Sequence, residues 1–420
     1  MNEFIPLLDN RLDDVKKFRE KILRIPMRVI VEGTRGKSST VRILEEMMRG
    51  LGKKTFAKVT GEQTPLLIYN GVVIPLYRMH NAVLIDYETI PTILNFDIDA
   101  VVIENQAITP YTMRYLHKIL KPQHVIIPNI RVDHNETLGT DLDEMAHNFA
   151  DNYRTATSQI QVYYGEPLEE VRQIVLPILQ EYAEKFPEKM RLHAIKIPKT
   201  SSYVCGIENY LVDKYFIEYN FGIKIDEVEY VGPARSKSDG ITINEAEYIR
   251  RTVNNLDIRM NPEHIRYLNL AKVNDPLSFL QVLSYVLDRT EDSVALVCYF
   301  RPDRVGRTEL FKNMLSNLPP KIVPRIKQVW LAGYHTKLVY NHLPPSLQAI
   351  THPLTGINDI DSILSYVKKH NLILVTMVNR VNPFMDVLVK QLQDRETEHF
   401  AGDTRQPDTH DRGEATKIKG

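Results

Sequence analysis

The stretch Arg28–Ile43, with the sequence RVIVEGTRGKSSTVRI, constrains the fold of this chain more than any other. A short β-branched run, Val29–Val31, leads into a loop with two glycines, and a helical pattern begins at Thr40. A strand, a glycine-containing loop and a helix in this order direct backbone N–H groups and a helix N-terminus at a phosphate. The stretch therefore predicts binding of a nucleoside triphosphate. The loop residues expected to bind its phosphates are Gly33, Thr34, Arg35, Gly36, Lys37, Ser38 and Ser39.

Lys37 and Ser38 of this loop are expected to have different roles in nucleotide binding. Lys37 is expected to reach the β- and γ-phosphates, and Ser38 is expected to hold Mg²⁺. The loop is not a full Walker A motif, because Val31 stands where the first glycine of that motif is expected. An ordinary glycine turn is the alternative interpretation. The strand before the loop and the helix after it favour the phosphate loop.

Composition narrows the class of protein. The chain has 420 residues, of which 43% are hydrophobic and 25% charged, as in soluble globular proteins with room for two domains. Lys plus Arg and Asp plus Glu both number 53, and a net charge of zero gives no support for a nucleic-acid partner. Two distant cysteines, Cys205 and Cys298, indicate buried thiols in a reducing compartment rather than a disulfide or a metal pair.

The hydropathy of the chain gives a prediction about its location. The sequence has no run of about 18 apolar residues, the length that a membrane-spanning helix needs. Its first residues lack the basic and then apolar pattern of a secretory signal. We expect a cytoplasmic protein, with any membrane association made through a partner.

Short apolar runs alternate with helical patterns from Val29 to Ile197, which predicts an α/β fold with a parallel sheet flanked by helices. Asn70-Gly71 between apolar residues of Leu66–Leu76 predicts a hairpin. Buried strands are also predicted at Ala100–Ile103 and Val125–Ile130.

Polar residues follow two of these strands. Glu104 comes directly after one strand, and Asp133-His134 follows the other. Ligands bind at the carboxyl ends of strands in open α/β sheets, so we expect these groups to converge on the phosphate loop. A solvated strand end and an ordinary turn are the alternative interpretations.

The second half of the chain repeats the α/β pattern over about 150 residues, a common domain size. The fold class predicted is a P-loop-type parallel-sheet ATPase domain followed by a smaller Rossmann-like C-terminal domain. The expected divisions are an N-terminal helix at 1–25, the ATP-binding domain at 26–240, the C-terminal domain at 241–395 and a disordered tail at 396–420.

The order of these features resembles the Mur-type ATP-dependent amide ligases, and within them the poly-γ-glutamate synthase branch. The resemblance covers about residues 26–390. IENQAITP at Ile103–Pro110 is similar to the family's SECMAVNP, and NIRVDHNETLGTDLDEMAHNF at Asn129–Phe149 is similar to NVLEDHMDVMGPTLDEIAEAF. FRPDRVGRTELF at Phe300–Phe311 is similar to CRADRVDRTQQF. The phosphate loop resembles the family's GIRGKST.

The resemblance implies a reaction in which ATP phosphorylates a carboxylate and an amine then displaces the phosphate, with ADP released. It implies glutamate, or a similar amino acid, as the unit added to a γ-linked polymer or acceptor. It places Mg²⁺ on Ser38, Glu104 and His134, the last at a second metal. It assigns catalysis to Lys37, His134, Arg304 and Arg307. It further implies nucleotide contacts from Asn209, Arg235, Asn274, Asp275, Arg301 and Asp303.

The chain also departs from the family pattern. Many relatives carry a carbamylated lysine after the Asp-His pair, whereas Phe149 occupies that position and no lysine lies between Lys121 and Lys185. Members of this branch commonly begin with a membrane-spanning segment, and this sequence shows none. Conversely, Tyr77–Thr92 of this sequence has no clear counterpart in the family. Two other hypotheses stay open: a P-loop kinase or NTPase, and a non-catalytic nucleotide-binding subunit of a membrane polymer-export complex. A homo-oligomer is also left open.

Overall fold

The computed structural model describes residues 20–60, 66–75, 96–106, 109–133, 135–199, 204–225, 258–271, 273, 275–377 and 382–393. Three predicted site residues, His134, Arg235 and Asn274, lie outside these ranges. So do the predicted boundary at 240/241, the tail at 396–420 and most of the N-terminal helix, of which residues 20–24 are helical.

Strands and helices alternate along most of the described chain. The strands are β1 (Met27–Val31), β2 (Thr55–Val59), β3 (Leu66–Tyr69), β4 (Val72–Pro75), β5 (Ala100–Glu104), β6 (His124–Ile127), β7 (Ile160–Tyr164), β8 (Met190–Ala194), β9 (Arg259–Met260), β10 (Arg266–Leu270), β11 (Val294–Phe300), β12 (Ile326–Gly333), β13 (Thr351–Pro353) and β14 (Ile373–Met377). The helices are α1 (Lys37–Gly50), α2 (Pro110–Leu120), α3 (Leu142–Arg154), α4 (Glu169–Lys185), α5 (Ile207–Phe221), α6 (Pro276–Leu287), α7 (Val305–Ser316), α8 (Thr336–His342), α9 (Pro345–Gln348), α10 (Ile360–Lys369) and α11 (Pro383–Gln393).

The first sheet has eight strands in the order β4-β3-β2-β5-β1-β6-β7-β8. All neighbours from β2 to β8 run parallel, and β3 and β4 add an antiparallel hairpin at one edge. The hairpin turns at Asn70 and Gly71, whose φ angles of 47° and 79° are those of a tight two-residue turn, as the sequence predicts. Apolar side chains on both faces of the sheet are fully buried, which is usual for parallel sheets covered by helices.

The second sheet has six strands in the order β13-β12-β11-β14-β10-β9, and its strands run parallel except for β9. It has apolar cores of its own on its two faces. The α/β class with two successive sheets is therefore confirmed.

Two predicted boundaries differ from those observed. The strand predicted at Val125–Ile130 ends at Ile127, where Pro128 has no N–H to continue the ladder. The helix predicted to begin at Thr40 begins at Lys37, so Lys37, Ser38 and Ser39 lie in the first turn of α1.

No described helix is both long enough and apolar enough to cross a membrane.

Candidate functional site

The phosphate loop lies at the carboxyl end of β1, between the ends of β5 and β6. Glu32 N donates to Ile126 O at 2.8 Å, and Thr34 N donates to Asn129 O at 3.1 Å. Gly33 has a φ of +98°, and a Cβ there would stand 2.4 Å from Asn129 O. Glycine is therefore required where the loop meets the chain that follows β6.

Gly36 meets the side chain of Asn209. It has a φ of +76° at the N-terminus of α1, and a Cβ there would lie 1.9 Å from Asn209 Oδ1. Asn209 is buried in the first turn of α5, and Thr40 Oγ1 donates to its Oδ1 at 3.4 Å. The structure thus brings Asn209 against the loop, and its contact with nucleotide stays a prediction.

Lys37 directs its ammonium group back over the loop. Its Nζ donates to Gly33 O at 2.9 Å and to Thr34 O at 3.2 Å. Burial lowers the pKa of Lys37 below its usual value, and the nearby carboxylate of Glu104 opposes that shift. A cation therefore lies beside the backbone that would face a phosphate.

Ser38 and Glu104 lie side by side, as their neighbouring strands require, since Val31 of β1 pairs with Glu104 of β5. Ser38 Oγ donates to Glu104 Oε2 at 2.9 Å, and Thr60 N donates to the same oxygen at 2.8 Å. Glu104 is only 3% exposed. A hydroxyl and a carboxylate are oxygen ligands of the kind that Mg²⁺ prefers.

Within the described ranges, no cluster of three or more His, Cys, Asp and Glu side chains could hold a metal. A pair of oxygen ligands is nevertheless compatible with Mg²⁺, which commonly keeps its waters and binds substrate phosphates alongside one or two protein groups. The predicted ligand His134 lies outside the described residues.

Ion pairs join the phosphate loop to residues beside both sheets. Arg35 Nη2 lies 2.9 Å from Asp133 Oδ2, and Arg35 Nε lies 3.4 Å from Asp275 Oδ2. Arg307 Nη2, from α7, lies 3.4 Å from the other oxygen of Asp133. Burial lowers the pKa of Arg307 to about 10, against the opposing effect of Asp133. The structure thus brings Arg35, Asp133, Asp275 and Arg307 together.

The other predicted residues of this segment lie nearer to solvent. Arg301 and Asp303 form a two-point ion pair, with Nε–Oδ1 at 2.8 Å and Nη2–Oδ2 at 2.6 Å. This pairing lowers the pKa of Asp303. The side chain of Arg304 is 40% exposed, and its Nε lies 4.0 Å from Asp303. Arg301, Asp303 and Arg304 therefore pair with one another, and the charge of Arg304 also contributes to the lowered pKa of Arg307.

Sequence reasoning missed a buried charge cluster behind the loop. Arg131 is 1% exposed, and its Nη2 lies 3.0 Å from Glu166 and 3.3 Å from Glu208. Its backbone N donates to Thr34 Oγ1 at 2.7 Å, and its Nη1 donates to Ser278 Oγ. Burial raises the pKa of Glu166 to about 7 in spite of Arg131. The position of Arg131 after β6 was the available signal, since polar residues at strand ends line such sites.

A second missed contact holds the N-terminus of α7. Gly306 N donates to Glu136 Oε1 at 2.9 Å, although the two residues lie on opposite sides of the contact between the sheets. A Cβ on Gly306 would stand 2.0 Å from Asn135 Oδ1, so a larger residue here would have to displace the ends of the Asn135 and Glu136 side chains. A carboxylate at a helix N-terminus satisfies a free N–H and complements the helix dipole.

A buried network extends below the loop from Glu32. Asn105 Nδ2 and Tyr153 Oη donate to its two oxygens at 2.6 and 2.9 Å. His117 Nε2 lies 2.5 Å from Glu32 Oε1. The residue directly before Gly33 is thereby fixed by α2, α3 and the end of β5.

Comparison with known proteins finds one family model and several relatives that are similar to this chain in sequence. Residues 256–395 match the family model described as the poly-gamma-glutamate synthase CapB C-terminal domain. The chain is 22% identical over 324 residues to the capsule biosynthesis protein CapB of Bacillus anthracis, covering 73% of this chain and 64% of that protein. It is 23% identical over 314 residues to the PGA synthase CapB of Bacillus subtilis (strain 168), covering 71% of this chain and 73% of that protein.

The fold also matches that of a solved ligase. The MurF ligase from Thermotoga maritima, determined in complex with ADP, aligns with a TM-score of 0.56 at 11% sequence identity. The alignment covers 92% of this chain and 84% of the MurF chain. The likeness extends across both sheets and agrees with the predicted fold class.

Proposed function

We propose that this chain, a Mur-ligase-like relative of the poly-gamma-glutamate synthase CapB proteins, is an ATP-dependent amide ligase. The observation that carries the proposal is the contact of Ser38 with Glu104, 2.9 Å apart, in a loop that also holds the ammonium of Lys37. The arrangement would supply a cation, the N–H groups of a helix N-terminus and a pair of metal ligands at one strand end.

The first proposed step transfers the γ-phosphoryl group of ATP to a substrate carboxylate. The carboxylate oxygen forms a bond to phosphorus, the bond to the bridging oxygen of ADP breaks, and an acyl phosphate results. Lys37 and the amides of Gly33–Ser39 would neutralise charge on the phosphoryl oxygens. The loop would position these groups before substrate arrives, because Thr34 N and Arg35 N donate to Asn129 and the side chain of Asn209 packs against Gly36.

Ser38 and Glu104 would hold Mg²⁺ beside the β- and γ-phosphates. Bound there, the ion would neutralise phosphate charge and fix the orientation of the triphosphate. Burial of Glu104 and its hydrogen bond from Thr60 N keep the carboxylate in one orientation. His134 is proposed as a ligand of a second metal from the resemblance alone.

The second proposed step forms the amide. The amine nitrogen attacks the acyl carbon, phosphate leaves with the bonding electrons, and the nitrogen loses a proton. Arg35 and Arg307, held beside Asp133, place positive charge where the two sheets meet. We assign Arg307 to the developing negative charge of this step and Arg304 to the acceptor. Contact between the sheets would keep water from the acyl phosphate.

The remaining nucleotide contacts are proposed from their places in the sequence. Asn209 packs on the loop, and Asp275 caps α6 and pairs with Arg35. Arg301 and Asp303 follow β11, and Arg235 and Asn274 complete the proposed set. We propose domain limits near residues 26–240 and 241–395.

Glutamate is the proposed amine, joined to a γ-linked polymer or acceptor. The names of the two CapB relatives, a PGA synthase and a capsule biosynthesis protein, support this substrate class. A membrane-protein partner for polymer synthesis or export is proposed from the resemblance of the sequence to this branch, and a cytoplasmic location is proposed from the sequence pattern.

Incubation with ATP, Mg²⁺ and glutamate, followed by mass spectrometry of the products and an ADP assay, tests the proposal. We expect ADP release that glutamate stimulates, together with a product heavier by one glutamyl unit. ADP release with phosphorylation of a small molecule and no amide would indicate a kinase instead. Nucleotide binding without ADP release under any amino acid would indicate a non-catalytic subunit.

A further inference from the structure

A small pocket lies on the edge of the first sheet opposite the phosphate loop. It is bounded by the C-terminal ends of α2 and α3 and by the starts of β6 and β7, and its volume is about 170 Å³. Its polar lining includes His117, Lys118, Lys121, Asn152, Thr157 and Ser158. None of these residues belongs to the phosphate loop or to the Ser38–Glu104 pair, although His117 contacts Glu32, the residue before Gly33.

Two buried side chains in the pocket have polar atoms without a hydrogen-bond partner in the described part of the chain. Asn152 is 1% exposed, and neither its Nδ2 nor its Oδ1 is hydrogen-bonded. The side chain of His117 is 8% exposed, and its Nδ1 has no partner although its Nε2 is held by Glu32. An unpaired buried polar group is unfavourable, and such groups are nearly always satisfied in native proteins. The pocket thus has several polar atoms that a small occupant would satisfy.

The lining indicates the charge of that occupant. Lys118 and Lys121 add two ammonium groups at the rim, and Thr157 and Ser158 add hydroxyl donors. None of the described residues that line the pocket is acidic. The Asn152 amide adds two more N–H donors, and its oxygen can accept a hydrogen bond from a protonated ligand oxygen. The carboxylate of Glu32 contacts His117 but does not line the pocket, and it already accepts from Asn105 and Tyr153. The donors and positive charge of the lining therefore match an oxyanion.

We propose that this pocket is a binding site for a small oxyanion, of the size of inorganic phosphate or a short carboxylate. The ligand lies against Asn152 and His117, with Lys118 and Lys121 balancing its charge. The site is separate from the phosphate loop, because its residues precede the strands of the first sheet whereas the loop follows β1.

Isothermal titration calorimetry of the full chain with inorganic phosphate tests the proposal. Lys118→Glu reverses one charge at an exposed position, so this variant is expected to fold. Asn152→Leu removes the buried amide, and its thermal unfolding shows whether it folds. Lys37→Ala weakens phosphate binding at the competing phosphate loop. Lys337→Glu, on the exposed surface of α8, reverses the same charge as Lys118→Glu and serves as the control.

We expect phosphate binding to persist in Lys37→Ala and Lys337→Glu and to weaken at least tenfold in Lys118→Glu. A folded Asn152→Leu variant should lose binding equally. A parallel titration with acetate separates the two sources of oxyanion, since binding of acetate alone would identify a carboxylate site. Absence of binding by both probes would overturn the proposal and leave the pocket to water. Binding that is lost in Lys37→Ala but unaffected by Lys118→Glu would overturn it as well.

Discussion

Arg35 Nε lies 3.4 Å from Asp275 Oδ2, and this ion pair connects the phosphate loop to the N-terminus of α6 beside the second sheet. The other oxygen of Asp275 accepts from Ser278 N at 2.8 Å and caps the helix. One carboxylate therefore orders a helix of the second sheet and pairs with the loop of the first.

Replacing Asp275 separates these two contributions. Asp275→Asn keeps a good helix cap and removes the charge that faces Arg35, so we expect the free energy of unfolding to fall by about 1–2 kcal/mol. Asp275→Ala also removes the helix cap, so its free energy of unfolding should be about 1 kcal/mol lower than that of Asp275→Asn. Urea unfolding of both variants measures the two steps. If Asp275→Asn were as stable as the unmodified chain, the ion pair would contribute nothing to holding the loop.

Lys37 is expected to matter for turnover far more than for folding. Its ammonium contacts only backbone carbonyls of its own loop among the hydrogen bonds described, so Lys37→Ala should leave cooperative unfolding intact. Glutamate-dependent ADP release should fall by at least about 10²-fold, because one preorganised charge at the phosphates is lost. Lys337→Ala, on an exposed surface, is the matched control. Near-normal turnover by folded Lys37→Ala would remove the phosphate-loop assignment.

Glu104 is expected to set the Mg²⁺ requirement. Glu104→Gln keeps a carbonyl oxygen for Ser38 Oγ and Thr60 N but removes the negative charge. We expect the Mg²⁺ concentration for half-maximal ADP release to rise about tenfold or more, with little change in unfolding. Glu188→Gln, at an exposed turn, controls for the loss of a charge. Superimposable Mg²⁺ titrations of the two variants would exclude Glu104 from the metal site.

His124 should make the fold sensitive to acid. Burial lowers its pKa to about 4, with smaller effects from His193 and Arg28. The unfolded chain takes up a proton near pH 6.5 while the folded chain does not, so stability falls as pH drops from about 6.5 to about 4. Between pH 7 and pH 5, the free energy of unfolding of His124→Phe should therefore fall by about 1–2 kcal/mol less than that of the unmodified chain. Urea unfolding at both pH values checks this, and equal losses would contradict it.

The sequence predicts the parts of the site that depend on local pattern. The alternation of strands and helices predicts that Glu104 lies beside the phosphate loop. The Asn70-Gly71 pair predicts the β3–β4 hairpin from backbone geometry alone. The contact of Glu136 with Gly306 could not be read in this way, since it joins residues 170 positions apart through the packing of two sheets. Arg131 was missed for a similar reason, because its partners Glu166 and Glu208 come from separate elements.

The approach of Glu136 to Gly306 makes the N-terminal turn of α7 conditional on its surroundings. When the sheets are in contact, the carboxylate completes the helix and the turn that carries Arg307 is ordered. If they separate, the same turn loses a cap worth about 1 kcal/mol and can fray. Arg307 would then lose its fixed direction at the moment when the site opens to water. Assembly of the site and the local folding of one helical turn are in this sense a single event.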